Sequence, residues 1–160
     1  MAIAIASERP DCRVLAVDVS QNALAVARSN AAGNAVEDRV EFAHGSWWDA
    51  VTSRRTFDLV VSNPPYMPTA SLDGLMTEVR DHEPRLALDG GADGLVVFRE
   101  LFDSAPHLLA EGGWMGLEVE GERQANELVH LFGACGGWRD AEVRKDYGGI
   151  PRVVFARRDS

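Results

Sequence analysis

The segment that most restricts what this chain can fold into is Phe57–Ser62 (FDLVVS), which runs straight into Asn63-Pro64-Pro65-Tyr66. The apolar, β-branched run predicts a strand. Two consecutive prolines then fix φ and remove two backbone donors, leaving carbonyl acceptors in a stiff loop. Asn63 adds a side-chain acceptor, and Tyr66 adds a flat apolar face with a polar tip. In open α/β sheets ligands sit beyond the carboxyl ends of strands, which is where this tetrapeptide falls. Together these parts suit one task, the gripping of an NH2 group on a flat π-system: two acceptors take its hydrogens while the ring covers the plane. An amide nitrogen is a poor nucleophile, because its lone pair is delocalised into the carbonyl. Holding it close to an activated methyl lets transfer proceed by proximity and electrostatics. The plainer alternative is a rigid surface turn, since Pro-Pro is common in loops.

The rest of the chain alternates strand and helix signals. Arg13–Val19 reads as a strand, Ser20 as an N-cap, and Gln21–Ala32 as a helix with Leu24, Ala27 and Ala31 on one face, stopped by Gly33. Arg39–Ala43 reads as a second strand. After the Pro-Pro loop an irregular region rich in Gly, Asp and Pro runs to about Asp93, a length that is usually functional or mobile. Leu95, Phe98, Leu101, Phe102, Ala105 and Leu109 trace one helical face, with Pro106 expected to bend it and Gly112-Gly113 to end it. Trp114–Glu120 follows as a strand, and Glu122–Phe132 as a helix with Ala125, Leu128, Val129 and Phe132 on its apolar side. Glu142–Lys145 and Arg152–Ala156 read as two last strands joined across Gly148-Gly149, forming an antiparallel C-terminal edge. Such alternation argues for an α/β sheet with helices on both faces, and 160 residues for one domain, 1–160.

Two further positions carry candidate chemistry. Asp18 closes the strand Val14–Val19, where a carboxylate can accept both hydroxyls of a nucleoside ribose. Its ordinary alternative, capping the next helix, is already filled by Ser20. In Gly45-Ser46-Trp47-Trp48-Asp49, beyond the second strand, Trp47 is the choice for stacking on an adenine ring, and Trp48 reads as core. The four histidines, His44, His82, His107 and His130, show no metal-ligand spacing, so no metal is expected. Glu118 could approach the pocket from its strand, although Glu118, Glu120 and Glu122 read mainly as a solvated face.

Composition narrows the partners. A net charge of -9 would repel a phosphate backbone, so direct DNA binding is not expected. Met1–Ala6 is too short to span a membrane and lacks the flanks of a secretion signal. Cys12 and Cys135 form no CxxC or Cys/His cluster, which fits a reducing cytoplasm.

Several segments occur in the order found in class I methyltransferases of the HemK family: AVDVSQNALAVARSNAAGN, GSWWDA, FDLVVSNPPYM, VRDHEPRLALDGGADGL and LLAEGGWMGLEVE. The chain resembles the peptide-chain-release-factor glutamine methyltransferases over almost its whole length, to KDYGGIPRVVFARR. The NPPY element is shared with DNA adenine methyltransferases, whereas EPRLALDGGADGL is more specific to the glutamine branch. The resemblance implies a Rossmann-like sheet and S-adenosyl-L-methionine as cofactor, with Asp18 at its ribose and Trp47 at its adenine. Asn63 would touch both cofactor and substrate amide, and Pro64, Pro65 and Tyr66 would complete the glutamine pocket. Ser46 stands where many relatives have an acid. The family's first strand and glycine-rich loop are expected ahead of the helix ending AIAIASERP, inside which this sequence opens, so the domain reads as N-terminally incomplete.

The expected reaction is methylation of the glutamine side-chain amide in the Gly-Gly-Gln motif of peptide chain release factors. A glutamine on a ribosomal protein is the nearest competing substrate. Methylation of the adenine amino group in nucleic acid is the rival enzyme reading. A non-catalytic fragment that keeps a protein-binding surface is the rival of another class.

Overall fold

The structure, a computed structural model, describes residues 1–51 and 55–159, apart from the side chain of Trp48, so the reading of Trp48 as core lies outside the described residues. The chain divides into two compact units, Met1–Arg54 and Arg55–Ser160.

In the first unit, helix α1 (Ala2–Glu8) precedes strand β1 (Val14–Asp18), helix α2 (Gln21–Gly33) and strand β2 (Val40–His44). β1 and β2 pair in parallel, with Val14 opposite Val40 and Asp18 opposite His44. The Ser20 hydroxyl accepts from the Ala23 amide at 3.2 Å, capping α2 as its sequence position predicts. Gly33 does not stop the helix: it lies in the last turn, and the left-handed residue is Ala35 at φ 53°. The Ala35 amide donates to the Ala32 carbonyl and the Val36 amide to the Ala31 carbonyl, so the closing bonds form with alanine in the usual glycine position. Ala6, Ala31, Val36 and Val40 form this unit's core, with Ile3, Val14 and Phe42 packed against it.

The second unit is built on a four-stranded sheet. β3 (Phe57–Ser62), β4 (Leu109–Glu118), β5 (Trp138–Lys145) and β6 (Pro151–Arg158) take the order β3-β4-β6-β5. β3 and β4 are parallel, and β6 runs antiparallel to both β4 and β5. This mixed arrangement, a sheet flanked by helices, is the α/β class expected. Helices α3 (Thr77–Arg80), α4 (Val96–Ser104) and α5 (Glu122–Ala134) complete the unit.

Three boundaries differ from the sequence reading. α4 stops at Ser104, and Pro106 sits in a short 3-10 turn, Ala105–His107. Leu109, placed on the helical face by periodicity, is instead the first residue of β4. Its burial satisfies either pattern, so spacing alone could not separate them. Gly112-Gly113 therefore lies inside β4, where the register against β3 jumps from Phe57↔Leu109 to Leu59↔Trp114. A Cβ on Gly113 would stand 2.9 Å from the Ala110 carbonyl oxygen and 3.1 Å from that of Phe57, so only glycine fits this bulge. Finally, β5 begins at Trp138 rather than Glu142, because the edge strand's run of exposed residues carries no alternation to mark its start.

The core of this unit is apolar on both helices and strands: Phe98, Leu101, Phe102, Met115, Leu117, Leu128 and Val154 are buried. Phe132 meets Phe102 edge-on with ring centroids 4.4 Å apart, and Trp138 at 5.2 Å. This triad joins α4, α5 and β5. Replacing Phe132 by alanine is expected to cost about 3–5 kcal/mol of unfolding free energy, from lost burial and the cavity left behind. Urea unfolding of variant and parent should show it as a lower midpoint at unchanged slope.

Candidate functional site

The candidate residues fall into two groups, one in each compact unit, and each group is described on its own.

In the first unit, Asp18 ends β1 opposite His44, the last residue of β2. The register brings the two strand ends together. The Gly45 amide donates to the Asp18 carbonyl at 3.1 Å, and His44 Nε2 lies 3.0 Å from the Val19 carbonyl oxygen. The Asp18 carboxylate is exposed and accepts from the Ser20 amide at 2.8 Å through one oxygen, leaving the other oxygen's acceptor sites open. Trp47 opens a 3-10 turn, Trp47–Ala50, with φ 42°. A tryptophan held in the left-handed region is uncommon, and such outliers concentrate at ligand sites. Gly45 makes the bend possible, since a Cβ there would meet the Ala50 Cβ at 2.8 Å. The structure thus gathers Asp18 and Trp47 at adjacent strand ends, a carboxylate acceptor and a half-buried indole.

In the second unit, Ser62 pairs with Leu117, so Asn63–Tyr66 leaves the sheet beside the end of β4. Pro64 is buried and anchors the loop. Asn63 is exposed, and Pro65 and Tyr66 are half-buried. Burial raises the Tyr66 phenol above its ordinary value. The Glu118 carboxylate pushes the same way, and Arg152 opposes less strongly. At neutral pH the ring therefore carries a protonated hydroxyl and no charge. Glu118 does come within electrostatic reach of the loop, as its strand position allowed.

What holds the loop is the segment after it, and little of that was legible beforehand. The region to Asp93 is not structureless: it contains 3-10 turns at Thr69–Gly74 and Arg85–Ala87, with α3 between them. It folds back so that the Met67 amide donates to the Leu88 carbonyl at 2.9 Å, while the Gly90 amide donates to the Met67 carbonyl at 2.8 Å. A Cβ on Gly90 would lie 2.8 Å from the Pro65 carbonyl oxygen, and one on Gly94, at φ 75°, 2.4 Å from that of Tyr66. Gly90 and Gly94 are thus spaces into which the Pro65 and Tyr66 backbone fits. Asp89 clasps the segment, accepting from the Thr69 hydroxyl at 2.6 Å and the Gly91 amide at 3.0 Å. The Thr69 bond first, then Gly91 and Arg85, hold its carboxyl below the ordinary range.

Gln124 on α5 was missed. It is 1% exposed, and its amide Nε2 donates to the carbonyls of Tyr66 at 3.2 Å and Gly94 at 3.1 Å. Its Oε1 accepts from the Glu120 amide at 2.9 Å. Only this orientation of the amide satisfies two acceptors and one donor, which fixes which atom is nitrogen. The signal was there: Gln124 stands one turn before Leu128 and two before Phe132, a polar residue in the apolar stripe of a helix. Among the described residues no His/Cys/Asp/Glu group could hold a metal ion, and both cysteines are unpaired.

Residues 1–81 match the family model of the methyltransferase small domain, just over half of the chain. A release factor glutamine methyltransferase of Caulobacter vibrioides is 47% identical over 155 residues, 96% of this chain and 52% of that protein. One from Geobacter sulfurreducens is 42% identical over 157 residues, 98% of this chain and 54% of that protein. The chain thus spans about half the length of these curated relatives. In fold it is similar to a methyltransferase from Pyrococcus furiosus, with a TM-score of 0.69 at 17% identity over 98% of this chain and 68% of that one.

The Asp89 clasp has a defined pH window. Because its carboxyl is held low in the folded protein, its stabilisation is present above the ordinary carboxylate range and lost as pH falls through the folded value, below roughly pH 4. Asp89→Asn keeps an oxygen for Thr69 and Gly91 but cannot titrate. Melting curves from pH 7 to pH 3 should show parent and variant converging as the pH drops. A gap that stays constant would remove Asp89 from the acid response.

Proposed function

Because this chain belongs to the methyltransferase small domain family, we propose that it is the catalytic part of a protein-glutamine N-methyltransferase. It acts on the side-chain amide in the Gly-Gly-Gln motif of peptide chain release factors. The observation that carries this reading is the Asn63–Tyr66 loop, set at the carboxyl end of β3 and braced from behind by the Gly90–Gly94 segment. The names of the relatives support the substrate, and residues 1–160 are read as one catalytic domain, acting in the cytoplasm where release factors work.

S-adenosyl-L-methionine supplies an electrophilic methyl group on sulfur. The residues of this chain fit such a group: Asp18 offers carboxylate acceptors to the ribose hydroxyls, and Trp47 offers a face to adenine. Asn63, exposed at the strand end, offers its side-chain oxygen to one hydrogen of the glutamine amide, while a proline carbonyl takes the other. Drawing both hydrogens toward acceptors fixes the NH2 group and leaves electron density at nitrogen. Tyr66, protonated and uncharged, covers the amide plane. Bound there, the cofactor would supply its methyl to the amide nitrogen and leave as the thioether, while the proton displaced from nitrogen would pass along its hydrogen bond to an acceptor and on to water. The pocket contributes orientation and charge stabilisation, and no side chain is attacked.

Among the described residues no helix is long and apolar enough to cross a membrane. The net charge of -9 favours a protein substrate over DNA.

With a tritium-labelled methyl donor, the full protein should label release factor and leave DNA unlabelled, and replacing the Gly-Gly-Gln glutamine should abolish the label. Asn63→Ala should keep the fold, because the side chain is exposed, and lower turnover on the order of a hundredfold. Label on adenine instead, or turnover undiminished in Asn63→Ala, would overturn this assignment.

A further inference from the structure

We propose that Gln124 is a positioning residue for the methyl transfer, holding the Asn63–Tyr66 loop at the height where its acceptors meet the substrate amide. The inference rests on the function proposed above.

Pro64 and Pro65 have no N–H, so the loop cannot brace itself through its own donors at those positions. It has to be held through its carbonyls and through Met67. The carbonyl of Tyr66, the last residue of the tetrapeptide, is taken by Gln124 Nε2. The second hydrogen of the same NH2 goes to Gly94, the residue whose missing Cβ lets the two segments touch. One planar group therefore sets the spacing between the loop and its support. The Oε1–Glu120 bond ties that group to the turn between β4 and α5, and the Arg152 guanidinium donates to the Glu120 carbonyl at 2.9 Å. The amide is also buried, so no water can substitute for it without opening the core. Gln124 is thereby linked to the pocket through backbone alone and does not touch the substrate.

Positioning and mere stability make different demands on a variant. Gln124→Met keeps the volume and removes all three hydrogen bonds. Gln124→Glu keeps the acceptor for the Glu120 amide. Its carboxyl, buried against two carbonyls, donates to one of them when protonated and repels both when ionised.

The test uses the full protein with S-adenosylmethionine and release factor, measured below the melting temperature of every variant. For Gln124→Met we expect an unchanged KM for the methyl donor and a kcat lower by on the order of ten- to a hundredfold, the size of effect a misplacement of about 1 Å produces. For Gln124→Glu we expect an intermediate kcat that falls relative to the parent as pH rises, a limb absent from Gln124→Met. A parental kcat in Gln124→Met, or flat and equal pH profiles in the two variants, overturns the proposal. Should Gln124→Met not fold, the pH limb of Gln124→Glu decides alone. If the parent protein leaves release factor unlabelled, the functional reading fails. Amide exchange at Met67 and Gly90 then judges positioning separately: faster exchange in Gln124→Glu at high pH supports it, and unchanged protection refutes it.

Discussion

A loop made of Asn-Pro-Pro-Tyr has a backbone problem that the second unit is arranged to solve. Two of its four residues have no N–H, and its first residue lies just past the end of β3, so its own hydrogen bonding cannot hold it in place. The solution comes from three directions. Pro64 is buried beneath it, the Leu88–Gly94 segment pairs with Met67 and leaves room for the Pro65 and Tyr66 carbonyls, and Gln124 grips Tyr66 from α5. Without these the acceptors would be correct in kind but free to wander. Proximity catalysis is lost by displacements far smaller than a side chain.

The rest of the second unit fixes the position of that support. α5 carries Gln124 at its first turn and Phe132 at its last. The aromatic contacts of Phe132 with Phe102 and Trp138 therefore anchor the far end of the lever whose near end touches the loop. β4 sets the other boundary: its buried Met115 and Leu117 lie against β3, so Glu118 emerges within electrostatic reach of Tyr66, where burial first and this carboxylate second raise the phenol above its ordinary value. Interior packing in this protein thus reaches the chemistry through backbone placement.

How much of this could be read in the sequence follows from the range of the interactions. Phe57–Ser62 matched its strand residue for residue, because a β-branched run bounded by prolines leaves one choice. Ser20 announced its cap, since an N-cap acts within three residues. The resemblance assigned Asp18 and Trp47 to one cofactor, while the residues alone did not pair them; the register of β1 against β2 sets Asp18 opposite the end of the strand that leads to Trp47. Leu109 misled because burial is common to a helical face and a central strand. Gly33 misled because the closing bonds of α2 put Ala35 in the left-handed position against the glycine preference. The bracing of the loop was the least legible part. It joins residues 66, 94 and 124, and no local pattern predicts that a buried glutamine will find two carbonyls so distant in sequence.

The GGADG segment shows why a motif can be specific without touching a ligand. A Cβ at Gly90 or Gly94 would collide with backbone oxygens of the Asn63–Tyr66 loop, and no flexible side chain is available there to yield. Gly94 adds a positive φ that other residues adopt only under strain. The same Pro-Pro loop on a different support would present its acceptors at another height and angle, and so suit a different amino group. In the function proposed above, the tetrapeptide supplies the acceptors for a planar NH2. The segment packed behind it fixes the place of the loop backbone, so in the proposed function the support bears on substrate position as much as the loop does.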